Sequence, residues 1–364
     1  MDSVIETTEQ EADPNATNKN WLHIFWTKLT HWEYWPFSVF YFPIVFYWVW
    51  LCIRARSFFF FTASNPTIEF GGMLGESKDK IFDLIPDQYI PKTIKVGHSI
   101  SINEITKMMK DHQLTYPLIF KPDIGERGWM VELIKNEADA SSYLARIKVA
   151  FLIQEYIPYD IELGIFYYRY PDRPRGTISS IVMKDMLSVI GNGTDTVAAL
   201  MNNDVRSKMH LDSMQQRSPD LLKTTPALGE RVEINSIGNH SLGTKFLNGN
   251  HLINEHLIKT FNHVSSQIEG FYFGRYDLRC ASLEDLYQGK NFKIRELNGA
   301  GSEPAHIYHP GFSLWQAYKD IIHHLEVLAD ISIQNKKDGH QYMPFTQGIR
   351  EIMKIRKYNK QKPK

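Results

Sequence analysis

The stretch Phe292 to Pro310 reads FKIRELNGAGSEPAHIYHP. An apolar, strand-like run ends in Glu296-x-Asn298 and then breaks into Gly-Ala-Gly. Side chains alternate faces along a strand, so Glu296 and Asn298 share one face. A carboxylate and an amide oxygen suit a hard cation such as Mg2+. The same pair at a strand end also fits a polar terminus facing water. Upstream, GRYDLRC puts Arg275 and Asp277 on one face with the same spacing. If the two strands pair, one surface carries Asp277, Glu296, Asn298 and Arg275. Adjacent carboxylates repel unless a cation lies among them. Such a surface holds either a divalent metal with an arginine alongside or a plain Arg275–Glu296 ion pair.

Three further stretches carry groups suited to a nucleotide. In YPLIFKPDIGERGWMV, Lys121 ends a strand and is followed by a loop with Gly125 and Gly128. A lysine beside a glycine loop neutralises phosphate oxygens while backbone N–H groups wrap them. The order differs from a P-loop, because the lysine precedes the glycines; a solvent-facing lysine at a strand end has the same look. In FLIQEYIPYDIELGIF, a buried strand runs out at Glu155-Tyr156-Ile157. Backbone groups at such a hinge can pair with a flat base, and Glu162 a short step on can accept from ribose hydroxyls. The loop Asn235 to Phe246 is polar and bears glycine. Asn239 and His240 in it, and Ser302 after the second glycine of Gly-Ala-Gly, are candidate substrate contacts.

The elements that must carry these groups follow from periodicity. SINEITKMMKDHQL, EADASSYLARIKVA, TDTVAALMNNDVRSKM, NEHLIKTFNHVSSQI and SLWQAYKDIIHHLEVLADISI have helical spacing. TYPLIFKP, FLIQEYI, IELGIFYYRYP, GTISSIVMKD, FYFGRYDLRC and NFKIREL read as strands, with SLEDLYQGK as a hairpin-like link between the last two. Helices mixed with antiparallel strands give an α+β class rather than a doubly wound sheet.

Composition narrows the class. The chain has 364 residues, 41 basic and 41 acidic side chains and two cysteines. Balanced charge without a basic run before the tail argues against nucleic acid as partner. Two distant cysteines make neither a disulfide framework nor a cysteine metal site. Residues 1–20 are polar and acidic and read as a disordered tail. Residues 21–63 are dense in Trp, Tyr and Phe, and Tyr34 to Ile53 carry no charge over about 20 residues, the length of a membrane span. A crossing helix, a flat or re-entrant anchor, and a buried soluble segment all fit that pattern. Arg54 and Arg56 follow directly, which places the larger C-terminal portion on the cytoplasmic side of a membrane. Residues 331–364 end in a basic tail that an anionic lipid surface would attract.

Taken in order, ESKDKIFDLIPDQYIPKTI, PLIFKPDIGERGWMV, LIQEYIPYDIELGIF, SVIGNGTDTVAAL, GRYDLR and IRELNGAGSEP resemble the ATP-grasp superfamily. Within it the chain is similar to the carboxylate–amine ligases of the D-alanine–D-alanine ligase and cyanophycin-synthetase type. The resemblance covers about two-thirds of the chain, from Gly75 to Pro310. It implies an ATP-grasp domain over 116–330, two α+β lobes with nucleotide between antiparallel sheets, preceded by a reduced region at 64–115. It implies ATP with two Mg2+ ions, Mn2+ as a substitute, and ADP-forming ligation through an acyl phosphate. By position, Lys78 and Lys121 match the nucleotide-contacting lysines, and Asp123 to Trp129 the flap over the phosphates. Glu155 to Ile157 match the adenine hinge, Glu162 the ribose contact, and Lys184 a phosphate contact. Asp277, Glu296 and Asn298 match the Mg2+ ligands, and Arg275 the group facing the acyl phosphate. A homodimer is a further implication.

One departure from the family bears on substrate. The Rossmann-like domain that usually precedes the first lysine is absent or reduced to FFFFTASNPTIEFGGMLGES. A carboxylate or amine presented at a membrane, lipid-linked rather than free, is the expectation that follows. A kinase on the same fold and a membrane-tethered, non-catalytic nucleotide-binding module are the competing readings.

Overall fold

A computed structural model describes residues 32–126, 128–235, 238 and 243–360. The candidate contacts Asn239 and His240 lie outside the described residues. The chain divides into two units, Met1–Pro43 and Ile44–Lys364. In the first, a turn at Trp32–Tyr34 precedes the start of helix α1 (Phe37–Ala55), and the Trp32 ring stacks on Phe40. Everything below concerns the second unit.

Two antiparallel sheets dominate it. The smaller has the order β1-β4-β2-β3, with β1 Thr93–Val96, β2 Leu118–Pro122, β3 Glu132–Ile134 and β4 Phe151–Glu155. The larger has the order β11-β10-β5-β6-β9, with β5 Ile161–Tyr168, β6 Thr177–Asp185, β9 Lys245–Asn248, β10 Phe273–Cys280 and β11 Phe292–Asn298. A two-stranded ribbon, β7 (Ser188–Ile190) with β8 (Arg231–Glu233), stands beside them. The α+β class expected from the sequence is the class observed.

Local chemistry explains the helices. Helix α2 spans Lys78–Phe82, and its N-cap Ser77 accepts from the Lys80 N–H. Helix α3 (Ile102–Asp111) starts at a reciprocal Ser101–Glu104 capping box and buries Ile105 and Met109 against the small sheet. Helix α4 (Glu137–Arg146) is capped by Asn136 and adds Ala140 and Tyr143 to that core. Helix α5 (Glu255–Ser266) covers the back of the large sheet with Leu257, Phe261 and Val264. The stretch expected as one helix after Thr194 is broken at Asp204, whose carboxylate caps a new helix by accepting from the Ser207 N–H at 2.8 Å. The link between β10 and β11 is the short helix α6 (Leu283–Tyr287) rather than a bare hairpin.

Helix α7 (Leu314–Lys337) runs past residue 330, and α8 (Phe345–Lys360) is helical where the sequence reads as a tail. Helix α7 is tied to β6 by the Ser179–His324 pair, and His306, in the turn before the helix, bridges the buried Ser180 of β6 to Asp320 of α7. Phe166 pairs Ser180 while Tyr167 pairs Ile178, so Ser179 is an extra residue in β6. That bulge lets two neighbouring serines act on one side of the strand.

Candidate active site

The front face of the large sheet is assembled from four strands. In β10, Tyr276, Leu278 and Cys280 join the core behind the sheet, so Arg275, Asp277 and Arg279 face forward. In β5, Leu163, Ile165 and Tyr167 lie behind, and Glu162 and Gly164 in front. Strand β11 pairs with β10 antiparallel, with Arg275 opposite Asn298 and Asp277 opposite Glu296. The pairing expected from the two spacings is thus present.

Strand β11 carries a bulge that its two ends require. Phe292 and Ile294 are buried behind the sheet, and so is Leu297. Strict alternation from Ile294 would send Glu296 into that core. The register instead jumps from Asp277–Glu296 to Leu278–Ile294, leaving Arg295 as the extra residue. The bulge restores Glu296 and Asn298 to the front and brings Arg295 forward as well.

Charges on this face are tightly paired. Arg275 grips Asp277 with two parallel bonds of 3.0 Å and donates to the Glu303 carbonyl at 3.2 Å. Asn298 donates to Asp277 at 3.3 Å. Lys184 lies 3.3 Å from Glu162 and 3.6 Å from Asp277. Glu162 also receives Arg279 at 3.0 Å and Arg295. Burial pushes the Glu162 carboxyl up, but Arg295, Lys184 and Arg279 outweigh it and hold the group at about 2. Burial likewise opposes ionisation of Asp277, and Arg275 and Lys184 bring it to about 2. The Glu162 oxygens expected for ribose are therefore already engaged; a sugar hydroxyl would compete with three cations.

The small sheet contributes lysines. Lys121 is only 7% exposed, and its ammonium donates to the Gln154 side chain at 2.9 Å and the Arg295 carbonyl at 3.1 Å. Neither acceptor is charged, and among the described residues no carboxylate lies within ion-pair distance of it. Burial, only partly offset by Glu296, lowers its pKa to about 7. Lys78 donates to the Gly125 carbonyl at 2.7 Å and lies 3.7 Å from Glu296. Gly128, in the same loop, has φ +71, a conformation that glycine adopts without strain. Asp123, not singled out from sequence, is buried; it accepts from Ser77 at 2.9 Å and pairs with Lys95 at 2.8 Å, fixing the start of α2.

Between the sheets lies a narrow cleft lined by Ile119, Leu133, Glu155, Tyr156, Ile157, Arg279 and Arg295. The hinge Glu155–Ile157 forms one wall. Its Glu155 N–H donates to the Lys92 carbonyl, and the Ile157 carbonyl accepts from Arg279. A flat base would be read by the other backbone groups of this hinge.

The glycines after Asn298 serve close packing. Ala300 and Gly301 donate to the carbonyls of Gly71 and Gly72. A Cβ on Gly301 would lie 2.2 Å from the Met73 carbonyl oxygen, and one on Gly299 2.5 Å from that of Gly71. The segment Phe70–Met73 is thereby seated beside the Asn298 end of β11, and the buried Asn65 anchors it with bonds to Gly71, Tyr272 and Phe273. The Ser302 hydroxyl turns back to donate to the Gly299 carbonyl.

The structure brings together Lys78, Lys121, Lys184, Glu162, Arg275, Asp277, Glu296 and Asn298, and sets Gly125 and Glu155–Ile157 at the rim. Sequence reasoning missed Arg279 and Arg295. Arg279 continues the alternating R-x-D-x-R series and was legible there. Arg295 is signalled only by the apolar step from Ile294 to Leu297, which breaks the two-residue period. Among the described residues no three His, Cys, Asp or Glu side chains cluster as a metal site. Two carboxylates directly across one rung, with an amide beside them, still form an oxygen-only set that a hard cation fits.

Neither a family model nor a curated protein sequence matches the chain. Solved structures similar to it include a bifunctional glutathione synthetase from Pasteurella multocida, at 14% identity and a TM-score of 0.35. That match covers 66% of this chain and 35% of the synthetase. A D-alanine–D-alanine ligase from Bacillus anthracis matches at 11% identity and a TM-score of 0.40, over 72% of this chain and 69% of the ligase. The VanG D-Ala:D-Ser ligase from Enterococcus faecalis matches at 13% identity and a TM-score of 0.39, over 74% of this chain and 62% of that one. The chain thus spans about a third of the first of these proteins and less than two-thirds of the third.

Proposed function

We propose that this protein is an ATP-dependent carboxylate–amine ligase, held at a membrane on its cytoplasmic side and acting on a lipid-linked substrate. The observation that carries the reading is Lys121. A buried ammonium with only neutral acceptors is costly, and a polyanion entering the cleft removes that cost. Lys121 and Lys78 hold phosphate oxygens from the small-sheet side. The hinge at Glu155–Ile157 holds the base. Asp277, Glu296 and Asn298 hold Mg2+, which when bound neutralises phosphate charge. Lys184 is held between Glu162 and Asp277.

In the reaction a carboxylate oxygen attacks the γ-phosphorus and ADP leaves. An amine nitrogen then attacks the acyl carbon, loses a proton, and inorganic phosphate departs. Arg275 stabilises the oxyanion of that second stage. Its two bonds to Asp277 fix the plane of the guanidinium, so it needs no reorganisation as charge develops. The aromatic, uncharged run from Tyr34 to Ile53 favours a substrate delivered from lipid.

The test is incubation of the purified full chain with ATP, Mg2+ and a lipid extract, reading ADP, phosphate and new masses. Lys121→Ala and Asn298→Ala should each abolish ADP release. Release at the parent rate from either variant overturns the assignment. ADP without free phosphate, with the phosphoryl group found on an alcohol, moves the reaction to kinase chemistry.

A further inference from the structure

Helix α1 is apolar on both faces, and among the described residues only one of them is covered. From Ile44 onward, Tyr47, Trp48, Leu51, Cys52 and Ala55 face the core that also holds Val327, Leu328 and Ile331 of α7. Tyr47 donates to Glu326 and Arg54 pairs with Asp330, so polar ties reinforce that seat. On the other side Val45, Val49, Trp50 and Ile53 are 46–69% exposed. These positions recur at the helical spacing of one stripe. The stripe continues past the end of the helix into Phe58, 63% exposed, whose ring meets Phe345 of α8 at 5.7 Å.

Helix α8 supplies the charge. It carries Arg350, Lys354, Arg356, Lys357 and Lys360 against a single acidic residue, Glu351. All five basic residues are exposed, as is Met353, while Gly348 is buried against Phe59. An apolar stripe that continues into a basic amphipathic helix is the pattern of a segment lying in the headgroup layer of an anionic bilayer.

We infer that the exposed face of α1 and the basic face of α8 together form an in-plane docking surface for anionic lipid, and that α1 does not cross the bilayer. This rests on the membrane reading above and specifies its geometry. A crossing helix needs about 20 residues surrounded by hydrocarbon. From Ile44 to Ala55 one side of α1 is part of the protein core, so crossing would strip that core open. Docking also reaches the nucleotide site. Helix α8 is 16 residues, about 24 Å, long, and its Tyr358 hydroxyl donates to the Ile124 carbonyl in the phosphate loop at 2.9 Å. The lipid-facing surface and the loop that would close on phosphate share one helix.

The experiment is co-sedimentation of the full chain with phosphatidylcholine vesicles, with and without phosphatidylglycerol. The parent should bind the anionic vesicles and be released by alkaline carbonate. Val49→Glu with Ile53→Glu should lose at least about tenfold on either vesicle. Lys354→Glu with Lys357→Glu should lose upwards of fivefold per position, and only on anionic vesicles. Three results overturn the inference: retention through carbonate, unchanged binding by the apolar pair, or a shift from dimer to monomer in that pair without loss of vesicle binding. A fluorescent ATP analogue, titrated without vesicles, should bind parent and variants alike. Its failure to bind the parent would reject the ligase reading and leave the docking surface standing.

Discussion

Lys121 sits in a position that water would normally veto. Its ammonium is desolvated, its two acceptors are neutral, and its pKa falls from 10.5 to about 7. Between about 7 and 10.5 the unfolded chain therefore binds more protons at this site than the folded one. Stability contributed here rises with pH through that window, the reverse of a lysine that gains a carboxylate. A bound polyphosphate pulls the pKa back up, so ATP binding at pH 8 should take up a proton. Calorimetry in two buffers of different ionisation heat measures this directly, and zero uptake would separate Lys121 from the phosphates. Lys121→Met removes the charge but keeps the stem. It should leave the ligand-free chain at least as stable as the parent in urea, while weakening ATP binding by about tenfold or more. A purely structural lysine would show the opposite pair of effects. Both lysines opposite the metal-ligand candidates were visible in the sequence as types and positions. That the hydrogen-bond acceptors of Lys121 are both neutral was not, because one of them is a carbonyl placed there by the second sheet.

Strands β6 and β11 each change phase once, and both changes matter to what faces forward. In β6 the extra residue is Ser179 and in β11 it is Arg295. A one-residue insertion moves every later side chain to the other face. Glu296 and Asn298 reach the site only because Arg295 is out of register. The loop that follows is held by contact with Phe70–Met73, and Gly301 is its tightest point. Gly301→Ala would drive a Cβ to 2.2 Å from the Met73 carbonyl, against backbone that has little freedom to yield. The expected cost is about 1–3 kcal/mol by urea unfolding, accompanied by slower ADP release as the Asn298 end of β11 shifts. Parent-like values for both measurements would mean the segment moves aside freely. Element types were largely legible from periodicity: helices over Ile102–Asp111 and Glu255–Ser266 follow their apolar spacing and caps. The break at Asp204 and the helix at Leu283–Tyr287 hinge on single capping contacts, which periodicity does not weigh.

Across the molecule, the aromatic N-terminal stretch and the basic C-terminal stretch read from sequence as appendages, an anchor and a tail. Beyond Ile44 one face of the first belongs to the core. Leu51, Phe60 and Ala63 are fully buried, and Asn335 of α7 donates to the Ala63 carbonyl at 2.8 Å. A chain beginning at residue 64 loses those side chains and bares Val327, Leu328 and Ile331. It should fail to melt cooperatively and should partition into the insoluble fraction. A soluble truncation with the parent Tm would show that the stretch is dispensable after all. The second stretch, as α8, packs Ile355 toward Gly75 and ends on the phosphate loop.

Residue type and near spacing were enough to name the candidate groups: oxygen donors two apart on two strands, a lysine before a glycine loop, and an α+β order of elements. Those are local properties, written in periods of two and 3.6 residues. Tertiary structure alone decided that Asp277 meets Glu296 across a rung, that Arg279 and Arg295 clamp Glu162, and that one side of an apolar helix is built into the core. Cross-strand register, bulges and the choice of buried face are set by contacts between residues far apart in the chain. No window along the sequence contains them.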